Sequence, residues 1–367
     1  MYGLEDSSRK WYNTLRKALI MLECKVSKLD KALFCYYGSG GKLQGLIVTH
    51  VDDLMYAGCP KFIKEVIQVL TKKFEISRKY IGVFEYLGWS ITQREQHVEV
   101  SQNMYASTIK RVEIDAKRRL QVDETLTPEE LKQYQSLLGQ LSWLSGQTRP
   151  DLKYDTLEHA TFNKHAKVKN LISLNKVTKK LPEGPKFLKF NQMDINRSQM
   201  KLVFYADASL GNLPNRTDSC RGYIIFLVDD TGTGSVIIWS SNKIRRKVHS
   251  TFGAEALGFL DAISATLYTR SLLSEILYQD GHSKVIPIVG VTDSKQVFDN
   301  CASTKQCTDQ RLRLDIAEIQ ETIEKEGISI KWTSTKTQLA DVLTKKTVDS
   351  SPICEVLESG MLKDYVF

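Results

Sequence analysis

The sequence lacks the features of membrane, secreted and zinc-binding proteins. It contains no run of about eighteen apolar residues, so no membrane span is expected, and its first residues lack the basic and then apolar regions of a secretory signal. The seven cysteines form no C-x-x-C pair, and none stands beside a histidine at zinc-ligand spacing. Free thiols in a reducing compartment fit this pattern best. The default location is therefore the cytoplasm or the nucleus.

The whole chain has a formal net charge of +8. Acidic residues are scarce in one part of it. Residues 161–190 contain eight lysines and one acid, Glu183, and a second basic cluster covers 243–247. Lysine and arginine release counterions from phosphates, so two such clusters favour nucleic acid as the partner. A solvated basic face is the plainer alternative. The residues expected to bind nucleic acid are Lys164, Lys167, Lys169, Lys176, Lys179, Lys180, Lys243, Arg245, Arg246 and Lys247.

The length of 367 residues favours two domains and a connector. In the first half, residues 43–57 predict a hairpin with Asp52-Asp53 at its turn, and a helix is expected to open at Pro60. Short strands are expected near 85–92 and 97–101, followed by a helix near 102–112. Thr127 to Glu130 predicts a capping box with proline at the first helical position of the next helix.

From about residue 200 the pattern predicts a mixed sheet with helices packed on its faces, an α/β arrangement. Gly327 is expected to end the helix that precedes the last strand. The expected elements are strands at 201–207, 222–228 and 235–240, a helix at about 250–278, a strand at 285–292, a helix at 309–326, a strand at 328–333, and a helix from about 336.

Four acids stand near the ends of these elements: Asp207, Glu255, Asp293 and Asp341. Burying a carboxylate in an apolar run such as that around Asp207 is costly unless a cation or hydrogen bonds compensate its charge. Hard oxygen ligands that converge from several elements suit Mg²⁺, and paired ions of this kind support phosphodiester cleavage. Taken singly, each acid could equally be a strand-end cap or a solvated helix residue.

Together, the four acids and five local sequences resemble the ribonuclease H family in its copia-type retrotransposon form. The sequences are Phe-Tyr-Ala-Asp-Ala-Ser (204–209), Ile-Trp-Ser-Ser-Asn-Lys (238–243), Ser-Thr-Phe-Gly-Ala-Glu-Ala-Leu (250–257), Thr-Asp-Ser-Lys (292–295) and Leu-Ala-Asp-Val-Leu-Thr-Lys-Lys (339–346). The resemblance implies a mixed five-stranded sheet and hydrolysis of the RNA strand of an RNA–DNA hybrid, leaving 3′-hydroxyl ends.

The same resemblance implies a metal site and the residues that hold it. Asp207, Glu255, Asp293 and Asp341 carry over as the catalytic, metal-binding acids, with two Mg²⁺ ions expected and Mn²⁺ as a substitute. Asp207 and Asp293 would contact both ions or the region that bridges them, and Glu255 and Asp341 would each favour one side. Many family members have a mobile histidine before the last acid, whereas residues 331–341 contain none. Slower turnover would be the consequence.

The first half resembles copia-type reverse transcriptase. The opening Tyr2-Gly3-Leu4 with Arg9 and Trp11, the turn His50-Val51-Asp52-Asp53, Tyr86-Leu87-Gly88 and the connector sequences at 136–139 and 148–151 occur in the family's order. A polymerase of this kind needs a metal-binding aspartate upstream of the Tyr-Gly-Leu sequence. Because that sequence starts at residue 2, the resemblance implies that polymerase activity is lost through truncation and that Asp52 and Asp53 are a vestigial metal site.

These expectations describe a copia-type Pol product with an α+β palm and thumb fragment at 1–114, a basic connection segment at 115–195, a ribonuclease H-like domain at 196–348 and a tail at 349–367. RNA–DNA hybrid or another nucleic acid is the expected partner, without a membrane. Association with a fuller Pol product that supplies the missing palm is left open. Two alternatives remain: a catalytically silent nucleic-acid-binding remnant, and a fragment of a longer polyprotein gene.

Overall fold

The computed structural model describes residues 6–193, 199–303 and 307–362. Residues 2–5, and with them the Tyr-Gly-Leu sequence, lie outside these ranges. The chain divides into two compact units, Met1–Ile81 with Leu267–Ile286, and Gly82–Thr266 with Pro287–Phe367. This is a division by compactness, and the functional domain limits near 114, 195 and 348 stay a prediction. None of the described helices is long and apolar enough to cross a membrane.

The first unit contains an antiparallel sheet covered by helices. Its strands lie in the order β1-β2-β3-β4, and its core includes Leu15, Leu19, Phe34, Phe62 and Val66. The helical stretch predicted from Pro60 is observed, with a π-helical segment at Ile63–Ile67. The elements are α1 (Ser7–Met21), β1 (Lys25–Val26), β2 (Leu33–Tyr37), β3 (Leu43–His50), β4 (Asp53–Gly58), α2 (Pro60–Phe62) and α3 (Gln68–Lys73).

The second unit opens with another antiparallel sheet and a group of helices. The sheet order is β5-β6-β7-β8, and the predicted capping box forms at Thr127 and Glu130. The helix expected near 102–112 is shorter than predicted. The elements are β5 (Val83–Tyr86), β6 (Trp89–Gln93), β7 (His97–Ser101), α4 (Asn103–Thr108), α5 (Ala116–Leu120), α6 (Pro128–Gln147), α7 (Lys153–Ala160), α8 (Val168–Val177) and β8 (Leu188–Asn191).

The predicted mixed five-stranded sheet is confirmed in the second unit. Its order is β11-β10-β9-β12-β13; β9, β10 and β11 pair antiparallel, whereas β12 is parallel to both β9 and β13. Its core includes Val203, Tyr205, Ile224, Phe226 and Val291. The strands are β9 (Lys201–Ser209), β10 (Cys220–Val228), β11 (Gly234–Lys243), β12 (Ile288–Thr292) and β13 (Ile328–Trp332).

Two of the helices that follow the first three strands, at 251–278 and 313–326, match the predicted helices, whereas two more, at 295–302 and 351–359, were not predicted. They are α9 (Thr251–Tyr278), of which the part before Leu267 belongs to this unit, α10 (Lys295–Ala302), α11 (Arg313–Glu326) and α12 (Ser351–Ser359). Gly327 ends α11 with a left-handed φ of 64°. The helix predicted from about 336 is wrong, because the chain there forms two 3₁₀ turns, Thr335–Thr337 and Asp341–Leu343.

The segment expected as a tail contributes to the core of this unit. Ile353, Val356 and Leu357 of α12 and Leu362 pack in the same apolar cluster as the five-stranded sheet. The apolar residues at i, i+3 and i+4 place one face of the helix on the sheet.

Candidate metal centre

Strand register brings two of the predicted acids to the same level of the sheet. Asp207 lies on the central strand β9, and Asp293 follows directly after the neighbouring parallel strand β12. The register pairs Val291 with Tyr205, so two residues further along each strand Asp293 is level with Asp207. Parallel neighbours end at the same edge of a sheet. Two carboxylates far apart in sequence therefore meet there.

Asp341 joins them from the 3₁₀ turn after β13. The turn packs directly on β10, where a Cβ at Gly222 would lie only 2.6 Å from Leu343 Cβ. Gly222 is also the residue that pairs with Asp207 across the strands, so its missing side chain lets the turn approach the acid. Ligand oxygens of Asp207, Asp293 and Asp341 all lie within 4.8 Å of one another, the one group of three or more such ligands among the described residues.

Glu255 lies beside this group rather than inside it. It stands near the start of α9 and is buried, and its Oε2 accepts a hydrogen bond of 3.1 Å from the backbone N–H of Ala208. Burial, together with the charges of Asp207 and Asp293, raises the pKa of Glu255 to about 9. The side chain is thus anchored next to Asp207 and close enough to sense both aspartates.

The aspartates are costly to keep charged without a compensating cation. Asp207 is 1% exposed, and its pKa is raised to about 7, because burial and the charges of Asp341 and Asp293 outweigh the lowering by Lys345 and the Thr344 hydroxyl. Burial likewise raises the pKa of Asp341. Like charges that converge in a buried place favour the protonated forms. A divalent cation would reverse this preference, and three carboxylate groups are the hard oxygen donors that such a cation takes.

Hydroxyl and amide groups surround the acids, and the sequence did not single them out. The Thr344 hydroxyl donates to Asp207 Oδ2, and the Thr335 hydroxyl donates to Asp293 Oδ2 at 2.9 Å. The Gln338 amide donates to the carbonyl of Ala206 at 3.0 Å. Thr335 and Gln338 occupy the segment that lacks the family's histidine. Thr335 and Gln338 lie close to Asp293 because of the 3₁₀ turns, which could not be predicted from the sequence.

Lys345 is a further residue of the centre that sequence reasoning missed. Its Nζ lies 2.8 Å from Asp341 Oδ1 and 3.3 Å from Asp207 Oδ1. Burial alone would lower the pKa of Lys345, but Asp207 and Asp341 outweigh that effect and raise it. The i, i+4 spacing from Asp341 was the available signal, and it was ambiguous because Lys346 stands next to it.

The connection helices contact the segment that carries Asp341. The Asn212 amide donates to the carbonyl of Thr344 at 2.6 Å and to the Tyr154 hydroxyl at 3.1 Å. Lys346 Nζ donates to Glu158 Oε2 at 2.6 Å, and the Trp239 indole donates to the carbonyl of Ser145 at 2.8 Å. Helices α6 and α7 therefore support both the sheet and the acid-bearing turn.

The predicted nucleic-acid-binding residues divide into two sets. Some make ion pairs: Lys169 with Asp123, Lys180 with Asp155, Lys243 and Lys247 with Asp218, and Arg246 with Asp315. Others are exposed and without an ion-pair partner in the part of the chain that the structure describes, namely Lys164, Lys176, Lys179 and Arg245, and Lys167 is half-buried. The second set offers its full charge to a polyanion.

The two acids of the first unit have a different setting. His50 pairs with Asp53 across β3 and β4, so the turn consists of Val51 and Asp52, one residue earlier than predicted, and Asp53 begins β4. Both aspartates are exposed. The Trp11 indole donates to the carbonyl of Val51 at 2.7 Å. No described histidine, cysteine, aspartate or glutamate completes a cluster with these acids.

Comparison with known proteins yields one family match, reverse transcriptase (RNA-dependent DNA polymerase), at residues 1–120. Among curated proteins, the Retrovirus-related Pol polyprotein from transposon RE2 of Arabidopsis thaliana is 24% identical over 94% of this chain and 24% of its own length. A putative transposon Ty5-1 protein of Saccharomyces cerevisiae is 28% identical, covering 67% of this chain and 80% of its own length. The chain spans about a quarter of the length of the first of these.

Among solved structures, the N-terminal RNase H domain of a Mycobacterium tuberculosis protein is similar at 14% identity and a TM-score of 0.29, covering 40% of this chain and 91% of that one. The strand order of the five-stranded sheet, β11-β10-β9-β12-β13, is given by the strand pairing alone. The match to the RE2 polyprotein, at 94% of this chain, extends well beyond the reverse transcriptase region at residues 1–120. The chain is therefore similar to copia/Ty1-type retrotransposon Pol polyproteins: residues 1–120 match the reverse transcriptase family, and a mixed five-stranded sheet follows in the C-terminal part.

Proposed function

We propose that this chain hydrolyses the RNA strand of an RNA–DNA hybrid at the centre formed by Asp207, Asp293 and Asp341. The observation that carries the proposal is the convergence of these three carboxylates, within 4.8 Å, from a central strand, its parallel neighbour and a packed turn. Glu255 completes the set, held beside Asp207 by the N–H of Ala208. The expected products carry 3′-hydroxyl ends.

The donor set fits a divalent cation, with Mg²⁺ as the proposed ion and Mn²⁺ as its substitute. Carboxylates from separate elements supply hard oxygen ligands and leave room for water and phosphate oxygens. Two ions bound in such a centre would activate the attacking water and stabilise the leaving oxygen. The chain's own part is to hold the carboxylates together: the Thr344 hydroxyl orients Asp207, and the Thr335 hydroxyl orients Asp293.

The exposed basic residues are proposed to bind the hybrid through its phosphates. Lys164, Lys176, Lys179 and Arg245 present their charges to solvent in the same unit as the acid centre. Contacts of this kind fix position without reading sequence, which suits a nuclease that recognises a hybrid by its backbone. No polymerase activity is assigned to the exposed Asp52-Asp53 turn, and a fuller Pol product as partner stays a prediction.

The test uses the full chain and a hybrid whose strands carry different labels. The parent protein should cut only the RNA strand in Mg²⁺ or Mn²⁺ and should not cut in EDTA. Asp293→Asn should lower the rate at least about 100-fold, because it removes a charged ligand, while hybrid binding and its salt dependence persist. Asp53→Asn is the matched control and should cut like the parent.

Two results would count against the proposal. If Asp293→Asn cut RNA as fast as the parent, the acids would have been assigned wrongly. If the folded parent bound hybrid but never cut it with either metal, the chain would be a silent nucleic-acid-binding remnant.

A further inference from the structure

Lys345 reaches the acid centre from the same segment that supplies Asp341. Its side chain is 36% exposed, so it approaches from the solvent side and places only its end among the carboxylates. The Nζ lies 2.8 Å from Asp341 Oδ1 and 3.3 Å from Asp207 Oδ1. A single ammonium group thus bridges two of the three converging aspartates.

The third aspartate is held differently. Asp293 accepts a hydrogen bond from the Thr335 hydroxyl at 2.9 Å and a longer one from the Gln338 amide at 3.4 Å. Both donors are neutral. The centre therefore has one edge, between Asp207 and Asp341, that is compensated by a cation of the protein, and one side, at Asp293, that is not.

We propose that Lys345 is a resident cation of this centre, which holds Asp207 and Asp341 together in the metal-free protein and competes with a metal ion for the same two carboxylates. The inference rests on the metal centre of the proposed function and deepens it. An ammonium group at hydrogen-bond distance from a carboxylate occupies space that a divalent ion would need. A metal ion that binds between Asp207 and Asp341 must therefore displace the Lys345 ammonium group or bind more weakly because of its repulsion.

Two measurable consequences follow from electrostatics. Removing the positive charge should tighten metal binding, since a unit charge about 4 Å from a divalent ion costs enough even in high dielectric to change affinity by about tenfold. It should also destabilise the metal-free protein, because it leaves the buried carboxylates of Asp207 and Asp341 without their charged partner.

The chain provides a matched control in the next residue. Lys346 has the same charge and lies one position further along, but its Nζ pairs with Glu158 at 2.6 Å instead of with the aspartates. Lys346→Met changes net charge and composition as Lys345→Met does. An effect of general charge would appear in both variants, whereas an effect inside the centre would appear in one.

The experiment titrates the full chain with MnCl₂ by calorimetry and records thermal unfolding in EDTA. Lys345→Met should bind Mn²⁺ about tenfold more tightly than the parent and unfold several degrees lower in EDTA. Mn²⁺ should restore more of its stability than it adds to the parent. Lys346→Met should keep the parent's Mn²⁺ affinity. Lys345→Arg, which keeps the charge, should stay near the parent in both measurements.

Equal or weaker Mn²⁺ binding by a folded Lys345→Met protein would overturn the inference, as would the same tightening in Lys346→Met. If Lys345→Met does not fold, Lys345→Gln takes its place with the same expectations. RNA cleavage is scored separately on the same samples. If Lys345→Met binds Mn²⁺ more tightly but no variant cleaves RNA, the proposed reaction is contradicted and the role of Lys345 is supported. If the parent cleaves RNA but Lys345→Met binds Mn²⁺ as the parent does, the reaction is supported and the role of Lys345 is contradicted.

Discussion

The chain contains two groups of neighbouring aspartates, and the groups differ in the number of secondary-structure elements that supply their members. Asp52 and Asp53 come from one hairpin, are adjacent in sequence and are exposed at its tip. Asp207, Asp293 and Asp341 come from two strands and a turn, and their ligand oxygens meet in a largely buried place. A hairpin positions acids by local pairing alone, whereas the cluster requires the whole sheet. Convergence from distant segments is what distinguishes a metal centre from an acidic turn.

Burial separates the two regions as well. A carboxylate in water loses little by being charged, so the turn acids have no need of a cation. The buried aspartates do, since burial raises the pKa of Asp207 and of Asp341. The energetic cost of keeping such groups charged is the physical reason to expect a bound cation there. For the same reason, we expect the groups that contact these carboxylates, Thr344 and Lys345, to affect their charge and their binding of a metal ion.

The largest effect expected from the surroundings of the cluster is at Thr344. Thr344→Val keeps the shape of the side chain but removes the hydroxyl that donates to Asp207. Hydrogen bonds to charged groups contribute about 1.5–3 kcal/mol, so kcat for RNA cleavage should fall at least about tenfold with KM nearly unchanged. Cleavage rates at several hybrid concentrations check this split.

Thr266→Val is the matched control for Thr344→Val. Thr266 is equally buried and its hydroxyl donates to the carbonyl of Ala262 at 2.7 Å within α9. It should lose some stability but keep its kcat. Equal losses of kcat in both variants would mean that Thr344 acts only through general stability and not through Asp207.

The smallest effect is expected at the turn of the first unit. Val51 adopts a left-handed φ of 54°, which costs a β-branched residue about 1–2 kcal/mol. Asparagine tolerates this conformation, so Val51→Asn should raise the melting temperature by about 2 °C and leave RNA cleavage unchanged. Thermal unfolding together with the cleavage assay measures both.

Val69→Asn serves as the comparison for that substitution. Val69 is exposed on α3, where asparagine is no better suited than valine. No gain in stability is expected there. A change in cleavage caused by Val51→Asn would break the contrast between the two acidic regions, because it would link the turn to the reaction.

Much of the fold was predictable because its signals are local. Three local signals each specify an element from its own residues: the apolar runs within 201–207 and 222–228, the capping box at Thr127 and Glu130, and Gly327 at the end of α11. The turn that carries Asp341 was misread as a helix. Its apolar residues Leu339, Val342 and Leu343 pack in the core of the sheet. Two 3₁₀ turns place them there, so their apolar spacing did not require a helix.

The site was predictable only in part for a related reason. The three aspartates were named because their order along the chain is specific. Lys345 and the Asn212–Thr344 contact were not, because they depend on how a turn packs against Gly222 and on a loop from another element. The partners of Lys243 and Lys247 were unpredictable for the same reason, since Asp218 reaches them through the fold.

The most direct test of the central claim is to locate the metal. Mn²⁺ binding to the full chain should be measured by calorimetry for the parent, for Asp293→Asn, and for the double variant Asp52→Asn with Asp53→Asn. Our account predicts that Asp293→Asn weakens binding at least about tenfold, because it removes one of three charged ligands, whereas the double variant binds as the parent does. Loss of binding in the double variant, with Asp293→Asn unaffected, would contradict it.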